Sequence, residues 1–503
     1  MGDQNDLISI TKLDWSYEME DQYVKQWGQF EAGWEGTNKG NPFIDVSFKA
    51  IFKNANREVE VKGFYAGEGQ FTIRYMPDQI GEWSFQTESN LETLNHLKGK
   101  FQCIKAGEDN HGPVIVSGKT HFSYSDGKPY YPFGTTAYVW NYQKEEIQEQ
   151  TYDSLKSGPF NKIRMCVFPK HYDFNLQEPG LFPFVGSLEE GFDFSRFDTC
   201  FFDNLEEQIA RLEELNIEVD LILFHPYDRW GFKNMGIEVD QRYLSYLIAR
   251  LASFRNIWWS LANEYDLIES RPMAEWDDLF KLIQKEDPSQ HLRSIHNWHR
   301  PDNRSNTHWY DHSKPWVTHA SIQHPDTSMV MDLLELYEKP IIFDECRYEG
   351  NFNHGWGNLT AERMVQCFWE GVSQGGYVTH GETFMNPNEI IWWSHGGKLY
   401  GESPSRIAFL RSIIEDGPVK GLKPFNFEWT VFAGKIGEEY LLAYFGDSRP
   451  SSKVLPFSEN ERYKIEVIDT WEMTISHLEG EFTGGSTINL PSKPYIALKA
   501  IQI

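Results

Sequence analysis

The chain is short of cysteine, of basic charge and of long apolar runs, and each shortage removes a class of protein. Its five cysteines, Cys103, Cys166, Cys200, Cys346 and Cys367, are scattered through 503 residues with no CxxC pair. That spacing suits neither a disulfide framework nor a cysteine zinc site, and it favours free thiols in a reducing compartment. The cytoplasm is therefore the expected location, with secretion the alternative if a leader has been removed. Lys and Arg number 47 against 74 Asp and Glu, giving a net charge of −27. Such a field repels polyphosphate, so nucleic acid is not an expected partner. No apolar run reaches the length of a membrane-spanning helix, so no membrane partner is expected. The first residues, MGDQNDLISITKLDW, lack the basic and apolar regions of a signal peptide. No HxH or HExxH spacing occurs, so no metal is expected, and no other cofactor is called for.

Aromatic residues, by contrast, are plentiful at 15%, with 18 Trp. Large β-sheet cores account for such a content, as does a cleft that stacks the flat faces of sugars. Residues 8 to about 106 alternate apolar and polar positions, clearly over Ile44 to Phe52 and again around Val59, Phe71 and Trp83. Gly and Pro-Asp punctuation separates these short strands, the pattern of an immunoglobulin-like β-sandwich. Lys105 to Gly112 reads as a linker, after which the period changes.

Eight apolar runs then alternate with helical patterns: Tyr131–Tyr138, Lys162–Phe168, Val219–Phe224, Ile257–Glu264, His291–Asn297, Trp316–Gln323, Pro340–Glu345 and Gly376–Phe384. Helical periodicity lies between most of them, over Asp198–Leu215, Val239–Phe254, Met329–Tyr337, Ala361–Val372 and Ser405–Ile414. The connection Arg300–Pro315 is polar and doubtfully helical. Eight βα units over about 300 residues predict a (β/α)8 TIM barrel. A doubly wound open sheet is the alternative, but the Gly-rich phosphate turn of its nucleotide-binding forms is missing. Beyond Gly417 the strands return, predicting a small C-terminal β-sandwich. The expected domains are 1–108, 109–416 and 417–503.

Catalytic groups of such barrels project from the C-terminal ends of the strands. Here those ends supply Tyr138, Arg164, His225, Asn263, Glu264, His296, Asn297, His319, Gln323, Glu345 and Glu382. Glu264 ends the fourth run, and the seventh ends in Asp344-Glu345. Two carboxylates from well-separated strands suit glycoside hydrolysis, which needs one protonated acid and one ionised group. Adjacent strand residues point to opposite sides, so one of Asp344 and Glu345 is expected at the mouth. Arg164, inside the second strand, is expected to pair with a buried acid or to keep the attacking carboxylate ionised. Asn263, His225, His319 and Gln323 are candidate hydrogen-bonding partners for sugar hydroxyls.

Asn263-Glu264 on strand four with Glu345 on strand seven resembles the clan A retaining glycoside hydrolases. More closely, Phe133-Gly134-Thr135-Thr136-Ala137, Phe224-His225-Pro226-Tyr227-Asp228 and Trp258 to Glu264 resemble the apiosidase-like barrel family. The stretch Gln26 to Glu31 with Gly63-Phe64-Tyr65 is similar to the uncharacterised β-sandwich that precedes these barrels. The C-terminal segment is similar to their usual partner. The resemblance implies Glu264 as acid/base and selects Glu345 over Asp344 as nucleophile. It also implies a Trp flooring the sugar site after strand eight, where Trp392 and Trp393 stand, and Tyr138 and Trp140 are candidates after strand one. Glu382 is a weaker rival acid or a substrate contact. Family members can carry Asp where this chain has Glu264. The implied activity is hydrolysis of an oligosaccharide or other glycoside, with exo action expected from the long loop Pro169–Arg196. A barrel that binds carbohydrate without cleaving it, and a metal-dependent barrel hydrolase, are the alternatives.

Overall fold

The computed structural model describes residues 22–55, 57–299, 309–385, 390–418 and 420–503. Within these, eight short segments form one sheet, and we number them as barrel strands. They are β1 (Phe133–Thr136), β2 (Lys162–Cys166), β3 (Glu218–Ile222), β4 (Ile257–Ser260), β5 (Arg293–Ser294), β6 (Ala320–Gln323), β7 (Ile341–Glu345) and β8 (Tyr377–His380). Their order in the sheet is β5-β4-β3-β2-β1-β8-β7-β6. A parallel bridge from His296, just past β5, to Ser321 of β6 links the two ends. Every resolved register between neighbours is parallel, as crossover helices require. β1 to β4, β7 and β8 are buried along their whole length, charged residues such as Lys162, Arg164, Glu218 and Asp220 included.

Helices fall where the 3.6-residue period places them: Thr199–Glu214, Ile237–Leu251, Val330–Tyr337, Ala361–Ser373 and Ser403–Glu415. Asp198 caps the first of these by accepting the Cys200 N–H at 3.0 Å. Two further helices, Glu145–Ser157 and Met273–Glu286, complete the connections after β1 and β4. Of the doubtful connection after β5, residues 300–308 lie outside the described residues, and 309–315 carry no helix.

By their internal contacts the described residues fall into two compact units. One takes in residues up to 115, 124–128 and 166–293; the other takes in 116–123, 129–165 and 294–503. The first unit contains the N-terminal sandwich. A five-stranded sheet (order Tyr23–Lys25, Lys98–Ile104, Gly81–Ser89, Phe48–Asn54, Arg57–Lys62) faces a three-stranded one (Phe30–Glu35, Gln70–Tyr75, Phe64–Gly67). Aromatic rings fill the space between, Phe30 stacking on Phe101 at 4.4 Å and Phe52 on Tyr75 at 4.6 Å. Residues 8–21, read as part of this domain, lie outside the described residues. The strand expected from Ile44 begins only at Phe48, because Pro42–Asp45 form a helical turn. Pro42 opens that turn, and the Asp45 carboxylate accepts the Asn41 N–H at 2.6 Å. The sandwich is tied to the barrel helices of the same unit by charge. Glu206 bridges Arg74 (2.8 Å) and the buried Arg250, and the Tyr246 hydroxyl reaches the Tyr65 carbonyl at 2.9 Å.

The second unit contains the C-terminal sandwich. Its main sheet runs Lys423–Pro424, Phe432–Ile436, Tyr440–Tyr444, Ile496–Gln502, Arg462–Asp469, Thr474–His477, and a ribbon of Ser452–Val454 with Thr487–Asn489 covers it. Leu441, Ala443, Tyr463, Ile465, Ile488 and Leu498 make the core. All five cysteines are free thiols. Among the described residues, no helix is long and apolar enough to cross a membrane.

Candidate active site

Glu264 stands beyond the end of β4. The ladder continues one step past the strand, the Asn263 N–H donating to the Phe224 carbonyl at 2.9 Å. Glu264 then takes a left-handed conformation, φ +50°, uncommon for a residue with a side chain. That twist ends the strand and begins the single helical turn Tyr265–Leu267. The carboxylate is buried and accepts a hydrogen bond from the Tyr227 hydroxyl. Tyr227 belongs to the Phe224-His225-Pro226-Tyr227-Asp228 turn after β3. Asp228 fixes that turn by accepting the N–H groups of Trp230 (2.8 Å), Gly231 (3.1 Å) and Lys233 (2.9 Å). The ammonium of the buried Lys170 lies over the Tyr227 ring at 4.3 Å and the Tyr172 ring at 4.7 Å.

His225 is sealed beneath, its Nε2 3.1 Å from the Phe168 carbonyl. Burial pushes its imidazole down to about 3, so it is neutral through the physiological range. Held by a backbone carbonyl in this way, it supports the turn from below. The loop read as Pro169–Arg196 is ordered by a hairpin, Phe184–Ser187 against Gly191–Phe197. Phe182 of that loop packs on Trp230 at 5.9 Å, and the Trp230 indole N–H donates to Glu178 at 2.6 Å.

Glu345 is the last residue of β7, in the second unit. Its carboxylate accepts from the Tyr138 hydroxyl and from the Gln323 amide at 2.7 Å, and an Arg164 nitrogen lies 3.8 Å away. Gln323 is itself fixed, its carbonyl oxygen accepting the His299 N–H at 2.6 Å and its backbone N–H meeting Asn297 Oδ1 at 3.3 Å. Trp393 packs against Tyr138 (5.6 Å), Tyr348 (5.6 Å) and Trp356 (5.0 Å), a cluster of four rings beside the carboxylate. Burial, then the charge of Glu345, hold the Tyr348 phenol well above its ordinary value. An amide, a phenol and a guanidinium thus converge on one carboxylate.

Asp344 corrects one expectation. Simple alternation would turn it away from Glu345, yet both lie 3.8 Å from Arg164. The reason is a bulge: Ile322 pairs with Phe343 and Gln323 with Glu345, so the backbone register with β6 skips Asp344. Asp344 is wholly buried, bonded to Lys162 (2.7 Å), Ser321 (2.6 Å) and Thr379 (2.8 Å). Burial alone would raise its pKa, but Lys162 and then Arg164 outweigh that and hold the carboxyl well below the usual range. Arg164 therefore serves a buried acid and the carboxylate at the strand end together.

Four other candidates are placed elsewhere. His319 precedes β6, at the opposite end from Gln323, and packs edge-on to Phe122 at 5.7 Å. Trp316–His319, read as strand, is loop, which moves the histidine away from the catalytic end. Trp140 is sealed against Tyr152 at 5.1 Å, and the Trp392 indole donates to Thr135 at 2.9 Å inside the core. Glu382 is buried with its oxygens turned to the N–H groups of Tyr400 and Gly401. Of the paired tryptophans, only Trp393 sits beside the acid.

Tyr227, Lys170 and Tyr348 were not picked out as site residues from the sequence. Tyr227 was within reach, since it lies in a turn directly after a barrel strand. Tyr138→Phe should lower kcat by about 10- to 100-fold with little change in KM, because it removes a bond to the carboxylate rather than to the substrate. A change confined to KM, read from initial-rate kinetics, would overturn that assignment.

Residues 117–408 match the family described as Apiosidase-like, catalytic domain. Two domains of unknown function match the flanks, DUF5060 over residues 23–90 and DUF5605 over 429–501. The chain is similar to a solved Bacteroides vulgatus protein assigned among the glycoside hydrolases, at 39% identity and a TM-score of 0.89. That match covers 96% of this chain and 100% of the other. A glycoside hydrolase family 5 protein from Bacteroides vulgatus shares the fold at 17% identity and a TM-score of 0.57, covering 78% of this chain and 94% of its own. No curated protein matches.

Proposed function

From the premise that the chain belongs to the apiosidase-like family of barrel glycoside hydrolases, we propose that it works by retaining double displacement, with Glu345 as nucleophile and Glu264 as acid/base. In the first step a Glu345 oxygen bonds to the anomeric carbon while the departing glycosidic oxygen takes the Glu264 proton. In the second, Glu264 accepts a proton from water, the water oxygen adds to the anomeric carbon, and Glu345 leaves as carboxylate. The chemistry calls for the two carboxyl groups to approach to about 5–5.5 Å in the complex.

The observation that carries this reading is the environment of Glu345. Tyr138, Gln323 and Arg164 converge on its carboxylate and hold it in place at the end of β7. The Glu264 carboxylate, at the end of the fourth strand, accepts a hydrogen bond from the Tyr227 phenol. The substrate is a glycoside or oligosaccharide, and the ordered hairpin loop after β2 supports an exo-acting pocket. The same reading gives catalysis to residues 109–416 and accessory roles to 1–108 and 417–503.

The test begins with a panel of aryl pyranosides and furanosides to find an active substrate. On it, Glu264→Ala should leave kcat/KM, which reports the first step, within about tenfold for strongly acidic leaving groups, while kcat falls because the second step loses its base. Cleavage of poor leaving groups should fall by roughly 10²–10⁴, the range expected for general acid catalysis. Equal losses on both kinds would take the acid role from Glu264.

A further inference from the structure

Past the barrel strands, two short segments run side by side. Glu349–Gly350 and Glu382–Thr383 pair in parallel with Glu349 opposite Glu382. That register sets two glutamates next to one another, and both are sealed, at 2% and 0% exposure. Two like charges in such a place are costly unless something neutralises them. Among the described residues, no Lys or Arg ion pair reaches either carboxylate.

The surroundings are nonetheless built for anions. Glu382 accepts the N–H groups of Tyr400 (2.6 Å) and Gly401 (2.9 Å). Glu349 accepts those of Glu402 (2.8 Å) and Ser403 (3.2 Å), and the Ser403 hydroxyl as well. These last donors open the helix Ser403–Glu415, whose N-terminus favours negative charge. Gly401 is required for so close a cover. A Cβ there would stand 2.4 Å from a Glu349 oxygen and 2.7 Å from a Glu382 oxygen.

The third member is His380, at the end of β8 and fully buried. Its Nδ1 lies 3.1 Å from the Thr135 hydroxyl. Its Nε2 has no hydrogen-bond partner and lies 4.0 Å from a Glu382 oxygen, too far for a hydrogen bond. One ligand atom from each of the three residues lies within 4.8 Å of the other two. In the tautomer that donates Nδ1–H to Thr135, the Nε2 lone pair is available to bind, the usual arrangement of a metal-bound histidine.

We propose that Glu349, His380 and Glu382 bind one divalent transition cation, zinc first by its ligand set, as a structural ion. An imidazole nitrogen and two carboxylates suit zinc at about 2.0–2.2 Å and suit calcium or magnesium poorly. The ion supplies the positive charge that the two glutamates lack, and it clamps the segment after β7 to the segment after β8. Its effect reaches Glu345 through Tyr348, next to Glu349. The Tyr348 ring packs so close over Gly381 that a Cβ there would lie 2.2 Å from it. The ion takes no part in bond cleavage, so the proposal stands apart from the roles of Glu264 and Glu345.

Elemental analysis of the full-length chain should find about one equivalent of zinc, either as isolated or after a stripped sample is given ZnCl2 alone. X-ray absorption at the zinc edge should show nitrogen and oxygen ligands with no sulfur, and stripping should lower the melting temperature by several degrees. His380→Gln or Glu382→Gln should reduce bound metal at least tenfold. Less than a tenth of an equivalent in the wild-type chain under both conditions would overturn the proposal. So would sulfur in the zinc shell, or full metal content in folded His380→Gln.

Discussion

Glu345→Ala is expected to lower kcat/KM by about 10⁴–10⁶, the scale of losing a covalent nucleophile, while leaving the fold intact. Removing this carboxylate frees only the uncharged donors of Tyr138 and Gln323, and Arg164 keeps Asp344 at 3.8 Å. No buried charge is orphaned, so the melting temperature should change by only a few degrees. The lost function should also be recoverable in a diagnostic way. With an aryl glycoside whose leaving group needs no acid, added azide can occupy the space of the missing carboxylate and attack the anomeric carbon. The product should be a glycosyl azide of inverted configuration. Activity within tenfold of wild type, or rescue giving the retained azide, would remove Glu345 from the nucleophile's role.

One residue earlier the expected effects are reversed. Asp344→Ala should cost about 3–5 kcal/mol of stability, because it strands the Lys162 ammonium in a site with no exposure. The loss follows from breaking one side of a buried pair, and it would appear in urea unfolding at neutral pH. Its pH dependence has a definite sign. The folded carboxyl is depressed below its unfolded value of about 3.9. Its stabilisation is therefore complete above about pH 5, and it drains away as the pH falls below 4 towards the folded pKa. The gap between variant and wild type should narrow in acid. A variant within 1 kcal/mol of wild type at pH 7 would contradict this account. On the proposed mechanism the two adjacent acids divide the work, Asp344 holding the strands together and Glu345 facing chemistry.

That division was only partly legible in the sequence. Hydrophobic patterning located all eight strands and five helices, because short β-like runs alternate with longer helical patterns along the barrel. Glu264 and Glu345 followed from the strand count and the resemblance together. What escaped was set by register and by strand length. A one-residue bulge opposite Asp344 cannot be read from apolar periodicity, since the run from Ile341 to Phe343 is apolar throughout. His319 was misplaced because the apolar residues Trp316 and Val317 extended the apparent strand towards its N-terminus by four residues that are loop. Trp140 and Trp392 show why aromatic content alone is ambiguous, since both lie fully inside the core, whereas Trp429 is 89% exposed. The Glu349–His380–Glu382 cluster was invisible for a further reason. Its members come from two separate segments, and only the Glu349–Glu382 pairing brings them together.

The stereochemistry of one turnover tests the central claim most directly. Proton NMR of the first-formed sugar, recorded on an active aryl glycoside before mutarotation, should show the anomer of the substrate's own configuration. An inverted anomer as the first product would contradict the assignment of Glu345 as nucleophile. It would point instead to a water held between carboxyl groups about 6.5–9.5 Å apart.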